Sequence, residues 1–246
     1  MASESPLARA WLAAGARVTL LARRESCSAV AETAPSRSLV LARDLSAEHS
    51  PAALFDEAED RHGPVDVLVS NAGVQIVEPA HVTEWERGAQ LLTVDLSVPL
   101  ALTQEALRRM IPRGRGTIVD IASMAALAPT PGMFFYNAAK GGLAAASEGL
   151  RAEVARHGVH VVTVYPGPVT SAMEAKAREK FEPTFAVRVT PTGDPDTLAR
   201  LVLAAVEKKR ARVIYPRTYV LARWFPGTSR WLTDALTPPL QRLLPK

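Results

Sequence analysis

GTIVDIASMAALAPTPGMFFYNAAK, residues 116 to 140, changes character in its middle. Gly116 to Ser123 is a short, largely apolar and β-branched run, which reads as a strand. A helical pattern then occupies 136 to 157, and a second apolar run, VHVVTVYPG (159 to 167), follows directly. Strand, helix and strand in that order imply two parallel strands joined by a crossover helix. Because both runs are apolar throughout, the sheet they form is covered on both faces.

The same alternation extends outward. RVTLL (17 to 21), SLVL (38 to 41), VDVLVS (65 to 70) and ARVIYP (211 to 216) read as further strands. Amphipathic stretches around 7 to 14, 26 to 34, 50 to 62, 84 to 110 and 195 to 210 read as the helices between them. The expected fold is α/β, a doubly wound parallel sheet of Rossmann-like type. In such sheets ligands bind beyond the carboxyl ends of the strands. Those positions hold Asn71, Ala72 and Gly73 after VDVLVS, Ser123 after GTIVDIA, and Tyr165, Pro166 and Gly167 after VHVVTV.

A chain of 246 residues, 48% hydrophobic, can bury one substantial core. Cys27 is the single cysteine, so neither an internal disulfide nor a Cys-based metal site can be built, and a reducing compartment is expected. No metal and no nucleic-acid partner are expected. The start of the chain lacks a secretory pattern, and no apolar run reaches the ~18 residues of a membrane span, so a cytoplasmic protein is expected. The net charge of +4 is unevenly placed: residues 207 to 246 carry +7, leaving −3 for the remainder. The tail also holds Trp224 and Trp231, two of the four tryptophans. Residues 217 to 246 therefore read as a basic amphipathic tail packed on the domain formed by residues 1 to 216. Peripheral membrane contact through its basic face is one reading, and a helix closing over the core with its arginines in water is the other.

Tyr136 and Lys140 stand at i and i+4 and share a helix face. Only six of the 29 basic residues are lysines, and Lys140 is the first of them. A compact ammonium thus stands where the chain otherwise chooses guanidinium. A tyrosine pKa near 10 makes a poor base at neutral pH. An ammonium about 4 Å away is worth up to ~4 kcal/mol at an effective dielectric of 20, roughly three pK units. Tyr136 is therefore expected near working pH, able to exchange a proton with an alcohol oxygen that Ser123 holds in place.

Ser123 with Tyr136 thirteen residues later, YNAAK, SNAG after a strand, and YPGPV followed by Ser171 together resemble the short-chain dehydrogenase/reductase family, from about Pro6 to Tyr215. The resemblance implies Tyr136 as catalytic acid/base, Lys140 lowering its pKa and binding the nicotinamide ribose, and Ser123 orienting the substrate. It implies that Asp44 and Leu45 lie at the adenine, that Asn71, Ala72 and Gly73 border the cofactor, and that Pro166, Gly167, Val169 and Ser171 embrace the nicotinamide. It also implies a homodimer or homotetramer packed through the long helices near 88 to 110 and 136 to 157. The small residues Ala138, Ala139, Gly141, Gly142, Ala144, Ala145 and Ala146 suit close backbone approach, in an interface or within one subunit. After VTLL, Ala22 is followed by Arg23 and Arg24, which suit a ribose 2′-phosphate, so NADP(H) is favoured over NAD(H).

Two departures from the family pattern stand out. Asp95, in TVDLSV, occupies the catalytic position that is usually Asn. Its charge either supports a water-mediated path to Lys140 or offsets the ammonium at Tyr136. Off the site, it is a polar residue near a bend at Pro99. The first strand and its glycine-rich turn are apparently missing, since the turn glycines would fall near Ala2 and Glu4 and no G-x-x-x-G-x-G occurs. Ser5 before Pro6 suits a helix start there. The expected function is an NADP(H)-dependent oxidoreductase interconverting a ketone and a secondary alcohol. The alternatives are an acid/base enzyme without hydride transfer (an isomerase, lyase or cyclase) and a non-catalytic binding protein. A lipophilic small-molecule substrate is expected from Met133, Phe134, Met173, Phe181 and Phe185, which either line a pocket under a mobile segment at 171 to 189 or pack in the core.

Overall fold

The computed structural model describes residues 6–22, 28–47, 50–182, 191–237 and 240. The elements run in the order α1 (Pro6–Ala13), β1 (Val18–Ala22), α2 (Ser28–Glu32), β2 (Ser38–Ala42), α3 (Pro51–His62), β3 (Val67–Ser70) and α4 (Trp85–Leu92). A π-helical turn (Thr93–Ser97) joins α4 to α5 (Val98–Arg113), followed by β4 (Gly116–Ile121), α6 (Phe134–Val154), β5 (Val159–Pro166) and α7 (Ala172–Arg178). The chain then forms α8 (Pro195–Glu207), β6 (Arg212–Tyr215), α9 (Val220–Trp224) and α10 (Pro226–Leu236). Local chemistry sets the helix starts. Ser50 and Asp194 accept the Ala53 and Thr197 amides ahead of α3 and α8, each with Pro at the first helical position.

All pairings between strands among the described residues are parallel. Among the described residues the strands form two sheets, β1-β2 and β3-β4-β5-β6, so β1 and β3 each have one edge without a strand partner. The alternation of β4 and β5 explains the layers. Val119, Ile121, Val162 and Val164 face α1 and α8, where Leu7, Ala199, Val202 and Ala205 are buried. Ile118, Val159 and Val161 point the other way, onto Phe55 of α3, Ala106 and Met110 of α5, and Val154 of α6. The same helix α1 sends Ala8 and Leu12 into a separate cluster with Leu20 of β1, Val30 and Ala34. It thereby ties the two sheets together.

Pro99 does not end the long helix. It sits in the first turn of α5, after the π-helical turn, where its missing N–H is cheap. The expected bend is instead the wide π turn itself, and Asp95 lies at its centre, fully buried. Gly88 lets α4 lie against α6, since a Cβ there would overlap the Phe135 ring.

Candidate active site

Strand β4 ends one residue before Ala122 and Ser123, and the chain leaves the sheet as a 3-10 turn. Ser123 is buried and its Oγ accepts the Ala125 amide at 3.1 Å, which orients the hydroxyl and leaves its proton to donate. Tyr136, in the first turn of α6, lies within hydrogen-bonding reach of Ser123. Lys140, one turn further on, is 5% exposed. Its Nζ donates to the Ile121 carbonyl at 3.2 Å, stands 3.2 Å from Asp95 Oδ2, and lies 5.9 Å from the centre of the Tyr136 ring.

Asp95 Oδ1 accepts the Val74 amide at 2.7 Å, which anchors the turn after β3 to the same spot. A Cβ on Gly73 would come within 3.0 Å of Asp95 Oδ2 and 3.4 Å of Lys140 Nζ. The backbone of that turn lies directly against the ion pair, an approach open to glycine. Ser123, Tyr136, Lys140, Asp95 and Gly73 therefore converge, with Asn71 and Ala72 exposed just before them.

The stretch after β5 forms another wall. Gly167 donates to the Tyr215 carbonyl at 2.7 Å and packs on the Tyr219 ring, and Val169 bridges to Gly193. Ser171 caps α7 by accepting the Glu174 amide at 3.1 Å. The charge of Glu174 reaches Tyr136, which sets the start of α7 near the phenol. Met133, Ala177, Phe181 and Leu240 gather with Tyr136 in one apolar cluster. Leu240 in this cover is a residue that sequence reasoning missed. Of the other residues proposed for an apolar lining, Phe134 and Met173 are exposed, and Phe185 lies outside the described residues.

Tyr165 turns away from the site: its hydroxyl donates to Glu148 at 2.9 Å. Asp44 and Leu45 follow β2. The Asp44 carboxylate accepts the Ser46 amide and hydroxyl, and Gln90 of α4 donates to Ser46 Oγ at 3.2 Å. Arg23, Arg24 and the expected helix cap Ser5 lie outside the described residues, as do Ala2 and Glu4.

The electrostatics correct one expectation. The Tyr136 phenol is not brought toward neutrality; burial pushes it up to about 12, against the opposing Ser123 hydrogen bond, and the charges of Asp95 and Glu174 push the same way. Burial is the main cause; Lys140, 5.9 Å from the ring centre, is itself paired with Asp95. Burial also raises Asp95 above the usual carboxylate range, while Lys140 and the Val74 amide pull it down. A second buried carboxyl, Asp120, escaped the sequence reading. It lies in register with Ser70 on one side and Thr163 on the other, a polar row crossing three strands, with Ser147 Oγ 2.9 Å from Thr163 Oγ1 above it. A carboxylate in the middle of the apolar run GTIVDI was the available signal.

Residues 5–182 match the family model described as short chain dehydrogenase. The chain is 36% identical over 167 residues to the inactive 2-(S)-hydroxypropyl-CoM dehydrogenase 2 of Xanthobacter autotrophicus, covering 67% of this chain and 72% of that protein. It is 31% identical over 176 residues to a 3-oxoacyl-[acyl-carrier-protein] reductase of Bos taurus, with 71% and 74% covered. A short-chain dehydrogenase structure from Streptomyces avermitilis superposes with a TM-score of 0.79 at 28% identity, covering 93% of this chain and 90% of that one. The chain belongs to the short-chain dehydrogenase/reductase family, a family of oxidoreductases. Nicotinamide cofactors are the family's hydride carriers, and at the end of β3 a backbone turn is laid directly against a buried lysine, as close approach of such a group requires.

Proposed function

We propose that the chain is an NADP(H)-dependent oxidoreductase that interconverts a ketone and a secondary alcohol on a lipophilic small molecule, acting as a reductase near neutral pH. The observation that carries this reading is the Ser123, Tyr136 and Lys140 group, closed over by the apolar cluster of Met133, Phe181 and Leu240. Asn71, Ala72, Gly73, Lys140, Pro166, Gly167, Val169 and Ser171 would hold a nicotinamide, which would supply the hydride. Ser123 donates a hydrogen bond to the substrate carbonyl oxygen, and Tyr136 gives that oxygen its proton. A phenol raised to about 12 is fully protonated at neutral pH, which suits an acid better than a base.

Arg23 and Arg24 are proposed to take the 2′-phosphate, and Asp44 and Leu45 to border the adenine. The outward positions Leu100, Ala138 and Ala145 on α5 and α6 support a homodimer or homotetramer. We place the protein in the cytoplasm, with its C-terminal tail as a peripheral membrane contact on the domain formed by residues 1 to 216. A second reading, an acid/base enzyme without hydride transfer or a binding protein, is favoured by one observation. The Asp95–Lys140 pair withholds the ammonium from Tyr136.

A thermal-shift and fluorescence titration with NADPH and NADH separates these readings. Micromolar binding of NADPH, weakened by Arg23→Ala more than binding of NADH is, supports the oxidoreductase. Turnover of an apolar ketone then falls about 10²- to 10⁴-fold in Tyr136→Phe. Absence of binding of either nucleotide at millimolar concentration rejects hydride transfer by this chain.

A further inference from the structure

Helices α9 and α10 form a basic, apolar hairpin that the core does not cover. Leu221, Trp224, Phe225, Trp231, Leu232 and Leu236 are 42 to 70% exposed, and they make up six of the eleven large hydrophobic side chains exposed among the described residues. Ala222 is the only buried residue of α9, and α10 buries no residue at all. An isolated 11-residue helix is marginal in water, so a helix that presents its apolar side outward calls for a surface to lie on.

The charges say which surface. Between Arg217 and Thr237 there are three arginines and one acidic residue, Asp234. Arg217 and Arg230 have no ion-pair partner among the described residues. Beneath α9, the single carboxylate of Glu148 is shared by Arg151, Arg212 and Arg223, so the support of the hairpin is itself cationic. A second copy of this patch would bring like charges together across an apolar contact, whereas an anionic surface is attracted to it. An adjacent arginine and tryptophan on each helix, Arg223–Trp224 and Arg230–Trp231, suit the boundary between lipid headgroups and acyl chains. At about 16 Å long, α10 can lie in that boundary but not cross ~30 Å of hydrocarbon; among the described residues no helix is long and apolar enough to span.

We infer that the α9–α10 hairpin docks the protein on an anionic phospholipid bilayer, with Trp224, Phe225, Trp231 and Leu232 entering the interface and Arg217 and Arg230 against the headgroups. This deepens the tail's membrane contact and is separable from the redox reading, because vesicle binding needs no nucleotide and turnover needs no vesicle.

The test is co-sedimentation of the full chain with vesicles of phosphatidylcholine alone and with about 30% phosphatidylserine. Association is expected with the anionic vesicles and is lost in roughly 0.5 M sodium chloride. Each arginine is worth about fivefold in partitioning, so Arg217→Gln/Arg230→Gln weakens binding at least tenfold. Trp224→Ser/Trp231→Ser abolishes it while keeping the wild-type circular dichroism, since both rings are exposed. Equal partitioning into neutral and anionic vesicles, or none into either, overturns the inference. So does a wild-type oligomer, seen by sedimentation equilibrium, that Trp224→Ser/Trp231→Ser dissociates without any vesicle binding, because the patch then belongs to a second copy.

Discussion

Tyr136 and Lys140 sit one helical turn apart, yet the charges that act on the phenol come from Asp95 and Glu174. The sequence pattern brings the lysine to the correct face; it does not reveal that the ammonium is already engaged at 3.2 Å. Asp95→Asn removes one of these two anions and leaves the Lys140 ammonium without its carboxylate partner. Tyr136 then titrates lower, by about one unit. Under the oxidoreductase proposal, alcohol oxidation depends on the phenolate, so the half-maximal pH of oxidation falls by about that amount in Asp95→Asn. Ketone reduction, which uses the protonated phenol, stays flat between pH 6 and 8. A pH–rate profile of oxidation that does not move on this substitution removes Asp95 from control of the phenol.

At the scale of elements, the strands were legible because buried parallel strands are apolar along their whole length, and β4 starts at Gly116 where the run GTIVDIAS does. What the periodicity could not show is how 84 to 113 divides. The π-helical turn at Thr93–Ser97 shifts the helix face and turns Asp95 inward, and neither consequence has a hydrophobic signature. The polar row of Ser70, Asp120 and Thr163 is invisible for a related reason: it exists only once three distant strands are in register. Asp120 is 2% exposed, neither its Oδ1 nor the Ser70 Oγ in register with it has a hydrogen-bond partner, and burial raises its carboxyl above the usual range, against the pull of the neighbouring Ser147 and Ser70 hydroxyls and the charge of Lys140. A carboxyl raised in the folded state supports stability fully below its unfolded pKa of about 3.9, and that support is lost as pH rises through the folded value. Asp120→Asn therefore stabilises the protein at pH 7 by about 1–2 kcal/mol, or ~2–8 °C in melting temperature, and much less at pH 4. Equal shifts in calorimetry at the two pH values contradict this account.

Across the whole molecule, the strands of the parallel α/β fold form two sheets among the described residues, with β1 and β3 each lacking a strand partner on one edge. Among the described residues no strand pairing joins the halves, and α1 supplies side-chain packing that does. Leu7 is buried with Val119, Val162 and Val202 of the larger half, and Leu12 with Leu20 and Val30 of the smaller. The Leu12 carbonyl also accepts Arg37 Nη1 at 2.7 Å, closing the smaller half onto the same helix. Leu7→Ala removes a buried contact at a cost of about 2–5 kcal/mol. The loss falls unevenly, because β4 and β5 keep partners on both edges while, among the described residues, β1 and β2 pair only with each other. Hydrogen exchange followed by mass spectrometry should show residues 18–42 losing protection in Leu7→Ala well before residues 116–166 do. Uniform loss along the chain would mean that the two halves unfold as one unit and that α1 is not their tie.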